Sequence, residues 1–327
     1  MAGEGEFDFI ARALAPLTRG HSGAYGLKDD GAILAPSEGC TFAVTTDTLV
    51  EGVHFPAGED PFLVGWKALA ANVSDLLAMG AAPGVYLLNI VWPAGGLEAR
   101  ADAFVAGLKA AQDQFKLVLV GGDTTKADGP WVVSITAMGE TPGGETPRRG
   151  NARPGDALVA TGSYGDAWLG LQQHLGVIRF EQADAARFVD LRFRKPVPPV
   201  ELVEMIRRAR AAIDVSDGLL ADAGHILSAS GMAGTIDLAA VPVSDVAEAW
   251  IKSQPGPVQA RLELATGGDD YEIVAAVPQS GVAEFLEQCA ARGRPAAIIG
   301  RVSEGSGLTV TYDGKPVDPG RLGFTHF

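Results

Sequence analysis

Short stretches rich in Val, Ile and Thr alternate along the chain with longer stretches whose apolar residues recur every three or four positions. Phe42 to Val53 reads as a strand and is followed by an apolar helical stretch from Pro61 to Met79, which Gly80 terminates. Gly84 to Trp92 reads as a second strand, Leu97 to Gln114 as a helix, Lys116 to Val120 as a third strand and Trp131 to Gly139 as a fourth. After Glu140 the composition shifts to TPGGETPRRGNARPG, where no apolar periodicity survives, and this predicts a junction between domains 1–143 and 144–327. Beyond it come a strand from Asp156 to Ala160, helical stretches around 165–175, 182–192 and 199–210, and a strand running into Asp214. Both halves therefore read as α/β with mixed sheets. NVSDL at 72–76 is echoed by DVSDGL at 214–219, and GGDT at 121–124 by GGDD at 267–270, matches too short to establish a duplication.

A length of 327 residues supports two domains of ordinary size, and 47% apolar against 20% charged residues describes a globular chain with a substantial core. Charge changes the picture more. With 26 Lys and Arg against 40 Asp and Glu, the net charge is -14, and there is no basic run of five or more. Nucleic acid is excluded as an expected partner, and a bare polyphosphate would be repelled unless divalent cations stood in between. Cys40 and Cys289 lie far apart in no CxxC pattern, and both are expected to be buried, inert thiols. The acidic amino terminus and the longest near-continuous apolar run, Val85 to Trp92, give no membrane span, so the cytoplasm is the expected location.

The aspartates fall where a solvated surface would not put them. Asp29 and Asp30 occupy a turn; Thr45, Thr46 and Asp47 interrupt an apolar strand; Asp75 lies near the end of an apolar helix; Asp123 follows a strand through Gly121 and Gly122; Asp214 and Asp217 flank Ser216 at another strand end. A single aspartate of this kind is ordinarily a helix cap, an Asx turn or a solvated carboxylate, and Asp29, Asp156 and Asp245 are read that way. Asp47, Asp75, Asp123, Asp214 and Asp217 together point to Mg²⁺, which takes hard oxygen ligands from a few carboxylates and from substrate phosphates. Rival chemistries lack their signatures: there is no GxxxxGK[ST], GxGxxG, HExxH or GxSxG, and no two of the five histidines share metal-ligand spacing.

TTDTLVEGVHF at 45–55, ANVSDLLAMGAAP at 71–83, GGDTTK at 121–126 and DVSDGL at 214–219, with GDDYE at 268–272 and the terminal GFTHF, together resemble the thiamine-monophosphate kinase family from about Glu6 to Phe327. The resemblance implies a two-domain fold like that of aminoimidazole ribonucleotide synthetase, with an N-terminal ATP/Mg-binding and dimerisation domain forming a shared β-barrel across a homodimer. The C-terminal α/β domain would complete the active site. It also implies several Mg²⁺ ions, with Asp30, Thr45, Thr46, Asp47, Asp75, Asp123, Asp214 and Asp217 as ligands. Gly122, Arg149 and Ser216 would contact ATP, and His54, Glu272 and Phe324 would contact thiamine monophosphate. Taken without the resemblance, His54 reads as a satisfied strand-end histidine, Arg149 as a solvated linker charge, Glu272 as an exposed strand residue and Phe324 as core closure. Three positions depart from the family pattern: Lys28 where glycine is usual, Asp269 where glutamate is usual and Thr325 where aspartate is usual.

The implied activity is transfer of the γ-phosphoryl group of ATP to thiamine monophosphate, with no general base. Two readings stand beside it: an ATP-dependent synthetase of the same superfamily with another phosphorylated acceptor, against which TTDTLVEGVHF argues, and a non-catalytic Mg-nucleotide binding module.

Overall fold

The computed structural model describes residues 5–144 and 146–324. The chain divides into two compact units, Met1–Leu76 with Ala81–Gly144, and Leu77–Gly80 with Glu145–Phe327. Among the described residues neither sheet closes into a barrel. Among the described residues no helix is long and apolar enough to cross a membrane.

The first unit contains a short helix α1 (Glu6–Phe9), β1 (Cys40–Val50), α2 (Pro61–Ala78), β2 (Ala82–Pro93), α3 (Leu97–Phe115), β3 (Val118–Ala127) and β4 (Val132–Pro142). Its sheet runs β1-β4-β2-β3, antiparallel except for β2 and β3, which are parallel across the α3 crossover. The period-two alternation in β4 buries Val133, Ile135 and Ala137 on one face, in register with Leu49, Leu88 and Tyr86, while Val44 on the other face is 60% exposed. α2 and α3 cover the buried face, where Tyr86 donates its hydroxyl proton to Gln112 at 3.0 Å and Trp92 and Phe104 meet edge to face.

Asp60 caps α2 by accepting the Phe62 amide at 3.0 Å, with Pro61 at the first helical position, where its missing N–H costs nothing. The far end stops as expected: Gly80 at φ 64 donates to Leu77 at 2.8 Å and Ala81 to Leu76 at 2.8 Å, the paired bonds of a left-handed glycine cap.

The second unit contains β5 (Ala157–Thr161), α4 (Asp166–His174), α5 (Ala183–Arg194), α6 (Val203–Ile206), β6 (Ala211–Asp214), α7 (Leu219–Ser230), β7 (Ala233–Asp237), α8 (Asp245–Ser253), α9 (Pro257–Thr266), β8 (Ile273–Val277), α10 (Val282–Ala291), β9 (Ala296–Ser303), β10 (Gly307–Tyr312) and β11 (Lys315–Pro316). Its seven strands run β11-β10-β7-β9-β5-β8-β6, with only β10 and β7 parallel. β5, β6 and β8 are buried along their whole length, and their apolar faces pack with Leu220, Ile226 and Leu227 of α7.

Three expectations are corrected. β3 does not end at Val120 but continues through GGDTTK to Ala127, because Gly122 (φ 149) passes so close to β2 that a Cβ would stand 1.9 Å from the Leu88 carbonyl. The predicted helix over 199–210 breaks into a 3₁₀ turn, Val200–Leu202, and the single turn α6, closed by Arg208 donating to Met205 and Ala209 to Ile206. Cys289 is buried as expected, whereas Cys40, at the open end of β1 opposite Pro142, is only half-buried.

α2 and α3 cross backbone against backbone at two glycines: a Cβ on Gly65 would lie 2.4 Å from the Phe104 carbonyl and one on Gly107 would lie 2.0 Å from that of Phe62. Helix propensity alone would make Gly107→Ala stabilising by about 1 kcal/mol. Steric overlap with backbone outweighs this, and Gly107→Ala should lose about 2 kcal/mol, read as a lower denaturant midpoint at unchanged slope; an unchanged or higher midpoint would refute the crossing.

Candidate functional site

In the first unit, β1 presents Thr45 and Asp47 on the face covered by α2, which carries Asp75. Thr45 donates its hydroxyl proton to Asp75 at 2.5 Å. Burial, and after it the charge of Asp75, pushes the Asp47 carboxyl up to about 6. A hard cation beside the pair would remove the penalty on Asp47, and the oxygen-only donor set fits Mg²⁺.

The other expected ligands lie elsewhere. Alternation turns Thr46 to the open face, where it donates to the Ile135 carbonyl at 3.0 Å. Because β3 continues as a strand, Asp123 also points to that face, in line with Asn89, Ser134 and Thr48 across the sheet. Asp30 sits in an exposed bend, and Gly122, at φ 149, is exposed beside Asp123. The five aspartates expected to act together thus do not form one cluster within either unit. Asp47 and Asp75 meet, Asp123 lies across the sheet from them, and Asp214 and Asp217 belong to the second unit.

His54 closes the turn after β1. Its Nδ1 accepts the Val50 amide at 3.1 Å, so its Nε2 carries the proton and acts as a donor. The Lys28 departure is innocuous, since its φ of -107 suits any residue; positive φ in that segment falls on Tyr25, Gly26 and Leu27.

In the second unit three sequence motifs converge on one loop. Asp214 ends β6, 4% exposed, and Ser216, Asp217 and Gly218 lead into α7. The Asp269 amide donates to the Ser216 carbonyl at 2.9 Å and the Phe324 amide to the Asp217 carbonyl at 2.9 Å. GDDYE and Phe324 are therefore laid against DVSDG by backbone bonds, with the Phe324 side chain 48% exposed. Arg149 stands exposed in a 3₁₀ turn whose carbonyl accepts the Ser230 hydroxyl at 2.9 Å. Thr325 lies outside the described residues.

Glu272 is neither an exposed strand residue nor open to an acceptor. It is fully buried, with Oε2 accepting from Thr161 at 2.8 Å and Oε1 from Arg294 at 3.0 Å, and Arg192 lies 3.6 Å away. The half-buried carboxylate of that motif is Asp269, held at φ 69 and accepting the Tyr271 hydroxyl at 3.1 Å. The echo between GGDT and GGDD is not structural: the first lies in a strand and the second in a loop, just as NVSDL is helical and DVSDG is not.

Sequence reasoning also missed Asp222 and His225, whose ligand atoms lie with one of Asp217 within 4.8 Å of one another. Their three-residue spacing at the start of α7 was the available signal. Burial, then the charge of Asp217, pushes Asp222 up to about 7.

With the geometry in place, comparison with known proteins becomes informative. The AIR synthase related protein family matches with its N-terminal domain over residues 28–141 and its C-terminal domain over 153–313. Thiamine-monophosphate kinase of Caulobacter vibrioides is 45% identical over 322 residues, 98% of this chain and 90% of that protein. The Escherichia coli K12 enzyme is 35% identical over 326 residues, 99% of this chain and 98% of its own. Among solved structures, thiamine-monophosphate kinase from Stenotrophomonas maltophilia K279a superposes with a TM-score of 0.83 at 36% identity, covering 95% of this chain and 98% of that one. AaThiL complexed with AMPPCP and TMP does so with 0.78 at 30%, covering 99% and 97%.

Beneath GDDYE, Asp270 is buried and accepts the amides of Gly165 at 2.7 Å and Ala167 at 3.3 Å, capping α4 from a distant segment. Burial raises it to about 8 although Arg192 pulls the other way. An unfolded aspartate titrates near 3.8, so the stability tied to its protonated form is present in full below that pH and is lost as pH rises through about 8. The thermal midpoint of the parent should therefore fall more steeply than that of Asp270→Asn between about pH 5 and about pH 9; parallel curves would rule the effect out.

Proposed function

The chain belongs to the AIR synthase related proteins and, within them, to the thiamine-monophosphate kinase family, and from that premise we propose that it phosphorylates thiamine monophosphate to thiamine diphosphate at the expense of ATP. The observation that carries the reading furthest is the Asp47–Asp75 pair with its Thr45 hydroxyl, a site that is electrostatically incomplete without a cation.

In this reading Asp30, Thr45, Thr46, Asp47, Asp75, Asp123, Asp214 and Asp217 hold several Mg²⁺ ions. When bound, these supply charge neutralisation for phosphates that would otherwise be repelled by a chain of net charge -14. Ser216, Gly122 and Arg149 bind ATP, and the Arg149 guanidinium offers a bidentate clamp to phosphate. His54 donates from Nε2 to the acceptor, and the exposed ring of Phe324 offers it an apolar face. Glu272, the buried last residue of GDDYE, anchors that motif through Thr161 and Arg294. The transfer is in-line and direct. A phosphate monoester has its second pKa near about 6, so the acceptor is already a nucleophilic anion and no side chain has to act as general base.

A homodimer built on the open face of the first sheet completes the proposal. Val44, Thr46, Thr48, Asn89 and Asp123 lie on this face, which carries two of the expected ligands. Light scattering should give twice the mass of the 327-residue chain; a monomer at micromolar concentration would remove the shared barrel from the reading.

The purified protein with ATP and Mg²⁺ should release ADP only when thiamine monophosphate is added, with thiamine diphosphate identified by mass. Asp75→Asn should lower turnover by about 100-fold or more even at saturating Mg²⁺, because a shared cation site is lost rather than one hydrogen bond. Acceptor-independent turnover, or near-normal turnover of Asp75→Asn, would contradict the assignment.

A further inference from the structure

The turn from β6 into α7 has the form of an anion cradle: a strand end, a short glycine-containing loop and the first turn of a twelve-residue helix. Amides in such a turn ordinarily receive a phosphate directly. Here they are already occupied. Asp222, 3% exposed, uses the single oxygen Oδ2 to accept the amides of Ser216 at 3.1 Å, Asp217 at 3.1 Å and Gly218 at 3.2 Å. The loop is held from other directions as well, through the Ser216 and Asp217 carbonyls and through Gly218, where a Cβ would meet the Thr266 carbonyl at 2.8 Å.

We propose that Asp222 is a positioning residue for nucleotide binding: it gathers the three loop amides inward and so fixes the Ser216 and Asp217 side chains as the groups that meet the nucleotide and its metal. The inference rests on the roles given to Ser216 and Asp217 above. It adds that this turn does not bind phosphate through its backbone. A phosphate competing for the three amides would have to displace a buried carboxylate and approach its negative charge. Contact therefore passes through side chains and a carboxylate-held cation, which makes nucleotide affinity depend on the shape of a loop that Asp222 sets without touching the nucleotide.

A general structural role would lower the unfolding temperature and leave the two substrates' KM values in proportion, whereas positioning at this loop separates them. The test uses the full chain with Asp222→Ala and Asp222→Asn, the latter keeping an oxygen acceptor of the same reach. Binding of a non-hydrolysable ATP analogue with Mg²⁺ is measured by calorimetry, amide hydrogen exchange is followed over the 216–218 segment, and KM is determined for ATP and for thiamine monophosphate. Asp222→Ala should weaken analogue binding by roughly 10-fold or more, speed exchange at the three amides and raise KM for ATP, with KM for the acceptor within about 3-fold; Asp222→Asn should stay within about 3-fold of the parent throughout. Should Asp222→Ala not fold, Asp222→Ser, whose shorter hydroxyl cannot span three amides, carries the same comparison. Parent-like analogue affinity in a folded Asp222→Ala or Asp222→Ser protein would overturn the proposal, and so would an Asp222→Asn protein as impaired as Asp222→Ala. A parent protein that binds the analogue but does not phosphorylate thiamine monophosphate would fail the acceptor reading and leave this comparison intact, because its first readout is nucleotide binding.

Discussion

Desolvation of carboxylates is the constraint around which both units are organised, since a carboxylate taken out of water has to be met by donors or by positive charge. The second unit meets it with internal donors, although burial still raises Asp222 to about 7 and Asp270 to about 8. Asp222 and Asp270 are satisfied by backbone amides, and Glu272 by the Thr161 hydroxyl and the Arg294 guanidinium. Each solution ties a distant segment to the core: Asp270 joins GDDYE to the start of α4, and Asp222 folds its own approach loop back onto α7. The first unit places two acids side by side, as the second does with Asp217 and Asp222. Thr45 gives Asp75 one hydroxyl, but after burial the neighbour that most perturbs Asp47 is Asp75, another acid. A bound cation would relieve a penalty of this kind, which is the electrostatic basis of the proposed Mg²⁺ site.

How much of this was legible depended on whether the signal lay in side-chain pattern or in backbone. β1, α2, β2, α3 and β4 were readable because their apolar residues repeat with the period of the element that buries them, and Asp60-Pro61 and Gly80 punctuate α2 at both ends. The continuation of β3 was not readable. Beyond Val120 the strand is glycine and polar residues facing an open sheet surface, so its hydrogen bonds persist where its hydrophobic signal does not. That one extension moved Asp123 from a loop end to a strand face and separated it from Asp47.

The backbone part of Asp222's contacts was hidden for a related reason. Its importance lies in three backbone N–H groups, which every sequence carries and none displays. The burial of Glu272 was hidden in the same way, because its partners Thr161, Arg192 and Arg294 come from widely separated segments. Motif resemblance points to the loops, whereas the fold shows which acid of GDDYE is half-buried and which two are fully buried.

The departure at Asp269 illustrates how backbone geometry selects side chains. This residue sits at φ 69, in the left-handed region where aspartate is several-fold enriched over most residues because its short carboxylate bonds locally. Here that local bond is the Tyr271 hydroxyl, itself on a residue at φ 51. The two left-handed residues on either side of the buried Asp270 are thus tied together by the Asp269 carboxylate. The same loop is laid against Ser216 by the Asp269 amide, so the local bond of its side chain and the bond of its backbone hold one segment from two sides.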